Sequence, residues 1–253
     1  MLHLTSVDII AALNLPPEAR VDQRVPKKLL VENGAPTAAD KRQINEGIEE
    51  LLWLAALKPT TIGVPEYRDD VREYLEIAVL SLSLRPDAKE GRLVELIHRA
   101  IPYPLLLVAK QSDNVTLSLA HKRWSQGEAG KTVLDDAVTL CELVEHTAAA
   151  AFLDSLSLAA QPRAHLRDLY QGWINCLEAF QVARIMGRFA PSTSDEATAV
   201  RREALVEYDR LVRQIANLRA QAERESQINR RAELNMEIKR LGAELVEATK
   251  MMG

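Results

Sequence analysis

With 253 residues, 47% of them hydrophobic and 27% charged, the chain can build one medium domain plus an appendage, or two small domains, and global disorder is not expected. A net charge of −4 and a pI of about 5.8 exclude attraction of the whole protein to nucleic acid and leave only local basic patches. Aromatic residues at 4% argue against a base-stacking platform, and no apolar run approaches the ~20 residues of a membrane span.

The first ten residues, MLHLTSVDII, lack a basic region and carry Asp8, so no secretory signal is expected. Thr5-Ser6 can cap a short helix through Leu13, stopped by Pro16-Pro17. RVDQRVPKKLLVENGAP follows, punctuated by Pro26, Gly34 and Pro36. A helix is then expected from Thr37 to about Leu57, capped by Thr37, with Asp40 in its first turn. Its apolar face would be Ile44, Ile48, Leu51, Leu52 and Ala55.

From residue 66 the period changes. EYLEIAVLSLSL (73–84) is rich in strand formers and too apolar for a surface helix. RPDAKEG is a turn, and RLVELIHRAI is a helix with Leu93, Leu96, Ile97 and Ile101 inward. PLLLVAK (104–110) reads as a buried strand, SDN as a hairpin signal, and VTLSLAHKRW (115–124) as an alternating strand. Together these predict a β-α-β-β unit whose first two strands, if adjacent and parallel, need a right-handed crossover. TVLDDAVTLCELV is a further strand candidate.

From about 150 the chain returns to helix. RAHLRDLYQGWINCLEAFQVARIMG puts Leu166, Leu169, Tyr170, Trp173, Leu177 and Phe180 on one face and ends at Gly187. Ser192 or Ser194 caps the last helical stretch, and Asp195 and Glu196 favour its N-terminal dipole. From there to Met251 the only breaker is Gly242. Unbroken, ~55 residues at ~1.5 Å each would give a rod about 80 Å long, too long for a core of this size. Tyr208, Leu211, Ile215, Leu218 and Ala222 step by 3 and 4, as do Leu234, Ile238, Leu241, Leu245 and Ala248 in a different phase. The helix therefore either contains a stutter or folds back as a hairpin at its polar centre. The seam is read as a docking or dimerisation surface, with Leu211, Ile215, Leu218, Leu234, Ile238, Leu241 and Leu245 as the contact residues. The competing reading packs it on the chain's own domain.

Candidate chemistry is sparse. Lys110 has Val108, not an acid, two residues before it, and Glu76 lacks a companion, so a metal-dependent nuclease pattern is missing. GEAGKT (127–132) lacks the first glycine of a phosphate loop and reads as a surface turn. His98, His121, His146 and His165 show no HxxxH or HExxH pairing and read as core or half-buried histidines. No GxSxG elbow is present. Cys141 and Cys176 lie in apolar settings outside any CxxC pair and read as buried free thiols in a reducing cytoplasm. No catalytic residue, metal or cofactor is expected. Two basic clusters, Arg24/Lys27/Lys28 and His121/Lys122/Arg123 with Trp124, leave Lys27, Lys28, Lys122 and Arg123 as weak nucleic-acid candidates, which would make non-specific, salt-sensitive contacts.

LPPEARVDQRVPKKLL, IPYPLLL, AHKRW and the tail QINRRAELNMEIKRL together resemble a bacterial family, the domain of unknown function 4391, over nearly the whole chain. The resemblance implies no catalytic residues. It does imply a setting, because such proteins tend to be encoded beside DNA methyltransferases, SNF2-type helicases and restriction-like helicase–nucleases. The expectation is an α+β domain over 1–190, with a helical N-terminal section on a small mixed sheet, and a helical, coiled-coil-like extension over 191–253. The expected function is a non-catalytic, cytoplasmic accessory subunit of a phage-defence or restriction-like complex. It would dock a helicase, a methyltransferase or a second copy. A nucleic-acid-binding module, or an enzyme of another type, is the alternative.

Overall fold

The computed structural model describes residues 4–128, 130–192 and 194–253. The reading of the first ten residues rests partly on Met1–His3, that of GEAGKT partly on Ala129, and that of the last capping site partly on the Asp195 side chain. These lie outside the described set. Two compact units, Met1–Leu177 and Glu178–Gly253, meet inside a helix, whereas the sequence suggested a boundary in the loop near 190.

The first unit opens with helix α1 (Ser6–Ala12), capped by the Thr5 hydroxyl, which accepts from the amide of Asp8 while the Asp8 carboxylate returns to the Thr5 amide. Strand β1 (Arg20–Arg24) and helix α2 (Lys27–Gly34) follow, then helix α3 (Ala38–Gly47), strand β2 (Ile48–Leu57) and the single turn α4 (Pro59–Ile62). Strands β3 (Tyr67–Arg68) and β4 (Glu73–Tyr74) form a small hairpin. The expected β-α-β-β unit is present as β5 (Ile77–Leu84), α5 (Glu90–Ala100), β6 (Leu105–Gln111) and β7 (Asn114–Leu119). β5 and β6 run parallel, from Ala78↔Leu105 to Leu84↔Gln111, and β6 and β7 pair antiparallel across Ser112-Asp113. The TVLDDAVTLCELV stretch supplies two strands: β9 (Thr132–Leu134), which pairs with β8 (Lys122–Trp124), and β10 (Thr139–Leu143), which extends the main sheet. The order in that sheet is β1-β2-β5-β6-β7-β10. Helix α6 (Ala149–Ser155) and helix α7 (Leu166–Met186) come last.

The single helix expected over 37–57 is corrected. Thr37 does cap α3, its hydroxyl accepting from the amide of Asp40, but the helix stops at Gly47 and β2 begins. The reason is a β-bulge. The β2–β5 register slips between Ile48 and Glu50, so Ile48 faces Leu84 and Leu51 faces Leu82. Both residues then join the same core cluster at a spacing of three, which mimics a helical face. β1, on the sheet edge, carries mostly exposed polar residues and gave no apolar signal.

The core lies on both faces of the sheet. Ala78, Leu80, Leu82 and Leu84 of β5, with Leu105, Leu107 and Ala109 of β6, pack under Leu30, Ile44, Leu93, Leu96 and Ile97 of α2, α3 and α5. Their alternates Val79, Leu106 and Val108 are fully buried on the opposite face, where α1 packs on β6. Burial on both faces explains the unbroken apolar run LLLVA in β6.

In the second unit the tail is a helical hairpin. Helix α8 (Asp195–Arg224) is capped by Ser194, whose hydroxyl accepts from the Ala197 amide, and helix α9 (Ile228–Lys250) follows after Glu225–Gln227. Leu211, Ile215, Leu241 and Ala248 form the seam, flanked by Leu218, Ile238 and Leu245. No glycine is needed at the bend, because Glu225 and Gln227 take extended backbone that any residue adopts. A continuous rod would have left both stripes wet; folding back lets each cover the other. Beyond the seam, Val182, Ala204, Leu205 and Met252 form a second cluster. Arg201 donates to the carbonyls of Ala190 and Met252, and the Glu178 carboxylate accepts from Arg202 at 2.7 Å. Burial pushes the Glu178 pKa up, while Arg202 opposes that shift.

Candidate functional site

The seven docking candidates converge, but inward. Leu211, Ile215, Leu234 and Leu241 are buried and Leu218, Ile238 and Leu245 half-buried, all at the α8–α9 seam or its margins. Their assignment as a docking surface is corrected, because each helix is the cover that the other's stripe required. A different line is exposed on α9. Met236, Ala243 and Val246, spaced by 7 and 3, lie opposite Leu234, Leu241 and Ala248. The same periodicity read around the other side of the helix could have found it.

The four basic candidates do not form one surface. Lys122 is 2% exposed, and its ammonium donates to the carbonyls of His98 and Ile101, the C-terminal end of α5. It therefore satisfies orphan carbonyls and complements the helix dipole. Burial brings its pKa down to about 8. Arg123 lies 3.4 Å from Asp135, which also binds Arg72. Lys27 donates to the Asn45 carbonyl at 3.0 Å, and its pKa is lowered by burial and then by the nearby Arg85 and Arg24. Lys28 is exposed beside Glu32.

The richest titratable cluster in the first unit was not legible as a group. His121 lies between Tyr74 and Gln171. The side-chain nitrogen of Gln171 donates to Asn175 Oδ1 at 2.8 Å, so its oxygen faces His121 and accepts from Nε2. That leaves His121 Nδ1 to accept from the Tyr74 hydroxyl. Burial raises the Tyr74 pKa, which keeps that donor protonated. Tyr170 is fully buried, donates to the Leu105 carbonyl at 2.7 Å and accepts from the Ala120 amide, and burial holds its pKa well above the usual tyrosine value. At the rim, His165 Nδ1 accepts from the Asp168 amide at the start of α7, and Arg167 lies over the Tyr67 ring, 5.4 Å from its centre. Tyr67 donates to Asp69, a bond that raises the Tyr67 pKa and lowers that of Asp69. Chemically the arrangement locks tautomers and ties β3, β4 and β8 to α7. The partners are about 50 positions apart in sequence, so no local spacing announces them.

His98, behind the sheet, is fully buried, and its Nε2 lies 3.0 Å from the Ser118 hydroxyl. Burial, with Lys122 nearby, brings its pKa down to about 3. Glu76 pairs with Lys58 at 3.0 Å. Cys141 and Cys176 are buried free thiols. Among the described residues, no group of three or more His, Cys, Asp or Glu is placed to hold a metal, and no helix is long and apolar enough to cross a membrane.

The model of the family described as domain of unknown function 4391 matches residues 13–245, and the chain belongs to that family. No curated protein and no solved structure matches the chain.

Proposed function

We propose that this member of the domain of unknown function 4391 family is a non-catalytic assembly subunit of a bacterial DNA-targeting defence complex, and that it docks its partner through the outer face of the α8–α9 hairpin. The observation that carries the reading is the exposed line on α9. Met236 is 74% and Val246 53% exposed, with Ala243 between them. Large apolar side chains aligned on a helix face already closed on its other side are the anchors of helix-mediated recognition. Each would contribute roughly 1.5–3 kcal/mol when buried by a partner. The DNA-targeting setting follows from the genomic company that the resemblance implies, which makes a helicase or a methyltransferase the expected partner.

The test is affinity capture of the tagged full-length protein from its native host, with and without nuclease, beside a Met236→Asp/Val246→Asp variant. The expected result is stoichiometric recovery of a helicase or methyltransferase that survives nuclease and is lost in the variant, whose helicity stays unchanged. Capture indifferent to the substitutions removes the outer face from the proposal. Capture abolished by nuclease supports the nucleic-acid alternative instead.

A further inference from the structure

We infer that the free edge of β9 is a strand-addition site, which takes an extended segment of a partner protein into a groove of the first unit. The β8–β9 ladder fixes which backbone groups are spare. The Asp135 amide donates to the His121 carbonyl and the Ser125 amide to the Lys131 carbonyl, with Arg123 facing Val133 midway between. Hydrogen-bonded pairs alternate along an antiparallel ladder, so Val133 exchanges bonds with Arg123, while the amides and carbonyls of Thr132 and Leu134 point away from β8. The same alternation turns the Trp124 amide out of β8 on its far side, where it donates to the Val71 carbonyl at 2.8 Å. On the β9 side nothing takes that place. Among the described residues, the outward amides and carbonyls of Thr132 and Leu134 have no backbone partner.

Beside this edge lies a groove of about 450 Å³, lined by all of β9, by residues 33–36 at the end of α2 and by Arg99 at the end of α5. Spare amides and carbonyls two residues apart, about 6.6–6.8 Å, match the repeat of another strand. A helix offers no match, because its own amides and carbonyls are bonded internally. A second copy's β9 lies behind the same wall of residues 33–36, so two such edges do not reach each other. The occupant is therefore an extended peptide segment of a partner, about three residues of it lying along β9. Charge does not choose its sequence, since Glu32, Arg99 and Lys131 of the lining already pair with the sequence neighbours Lys28, Glu95 and Glu128. Recognition rests on the main chain, so proline is excluded where the segment faces Thr132 and Leu134. The site uses neither Met236 nor Val246 and stands apart from the adaptor reading.

The probe is a phage-displayed library of random peptides selected on the full-length protein, with the recovered sequences synthesised and titrated by fluorescence anisotropy. An amide-to-ester scan of a bound peptide, which deletes one N–H at a time without adding bulk, should show a period of two. Esters at the residues facing Thr132 and Leu134 should weaken binding by about three- to tenfold, and the ester between them by about twofold or less. Thr132→Pro removes a spare N–H and leaves the β8 bonds intact, so it should weaken every peptide by about three- to tenfold. Thr132→Val loses the hydroxyl bond to the Pro102 carbonyl but keeps the N–H, and should bind as the parent does. By NMR hydrogen exchange, the Thr132 and Leu134 amides should be unprotected in the free protein and protected with peptide, and Val133 protected in both. If Thr132→Pro does not fold by circular dichroism, the ester scan and the exchange data decide. Recovery of no peptide, an ester scan without period, full affinity in a folded Thr132→Pro, or protection of Thr132 and Leu134 before peptide is added would each overturn the inference. The Met236→Asp/Val246→Asp variant should bind the peptides unchanged, so failure of either reading leaves the other standing.

Discussion

Replacing Ile238, Leu241 and Leu245 together by Asp should unfold the hairpin rather than strip a partner from an intact one. Leu241 is 4% exposed and packs with Leu211 and Ile215, and Ile238 and Leu245 are half-buried beside it. Full burial of a Leu is worth roughly 1.5–3 kcal/mol and half-burial about half of that, so apolar burial alone loses about 3–6 kcal/mol. Three carboxylates in the seam add a desolvation cost. Helix α9 draws most of its stability from packing its apolar face, and detached from its cover it loses that support. The assay is hydrogen exchange on the full-length protein, read peptide by peptide. Amides of α8 and α9 should lose protection, while those of β5 and β6 keep theirs. Met236→Asp on the outer face, which adds one carboxylate where the side chain is 74% exposed, should move stability by only about ±0.5 kcal/mol. If the triple variant keeps full protection in α9, the seam is a free surface and the packing described above is wrong.

His98 should make the fold acid-sensitive. Its folded pKa of about 3 lies below the ordinary value of 6.5, so its contribution is complete above pH 6.5 and is lost as pH falls towards 3; by pH 4.5 it should have lost about 2–3 kcal/mol. Urea midpoints at pH 7 and pH 4.5 should show a drop that His98→Gln largely removes, and equal drops in both proteins would contradict the buried, neutral imidazole. Leu106→Ala should cost about 2–5 kcal/mol, because the side chain is fully buried in a central strand, and an unchanged thermal midpoint would remove β6 from the core. Gly34→Ala should destabilise by about 1–3 kcal/mol, since its new Cβ would meet Ala100 Cβ at 2.6 Å and the Leu96 carbonyl at 2.8 Å; a midpoint that rises would mean α2 does not approach α5 this closely.

Local chemistry is legible in this chain wherever structure depends on neighbours in sequence. Thr5, Thr37 and Ser194 cap because their hydroxyls reach amides three residues on, and the β5-α5-β6-β7 unit follows from apolar period and turn residues. The C-terminal stripes were equally plain. What covers a stripe is not a local property. Period alone left a rod, a stutter and a hairpin open, and only the packing of Leu211 and Ile215 against Leu241 and Ala248 chose the hairpin and turned the supposed docking residues inward. β2 was hidden for the same reason, since its bulge takes effect only once β5 lies alongside. Lys122 looked like a surface cation until the end of α5 came within reach of its ammonium, and His121 met Tyr74 and Gln171 only after the chain had folded across ~50 residues. Sequence fixes each segment's preferred backbone and its wet and dry faces, because those follow from sterics and solvation within a few residues. The partner of each face depends on which distant segment buries it at least cost in unsatisfied polar groups, and that choice is made only by the fold as a whole.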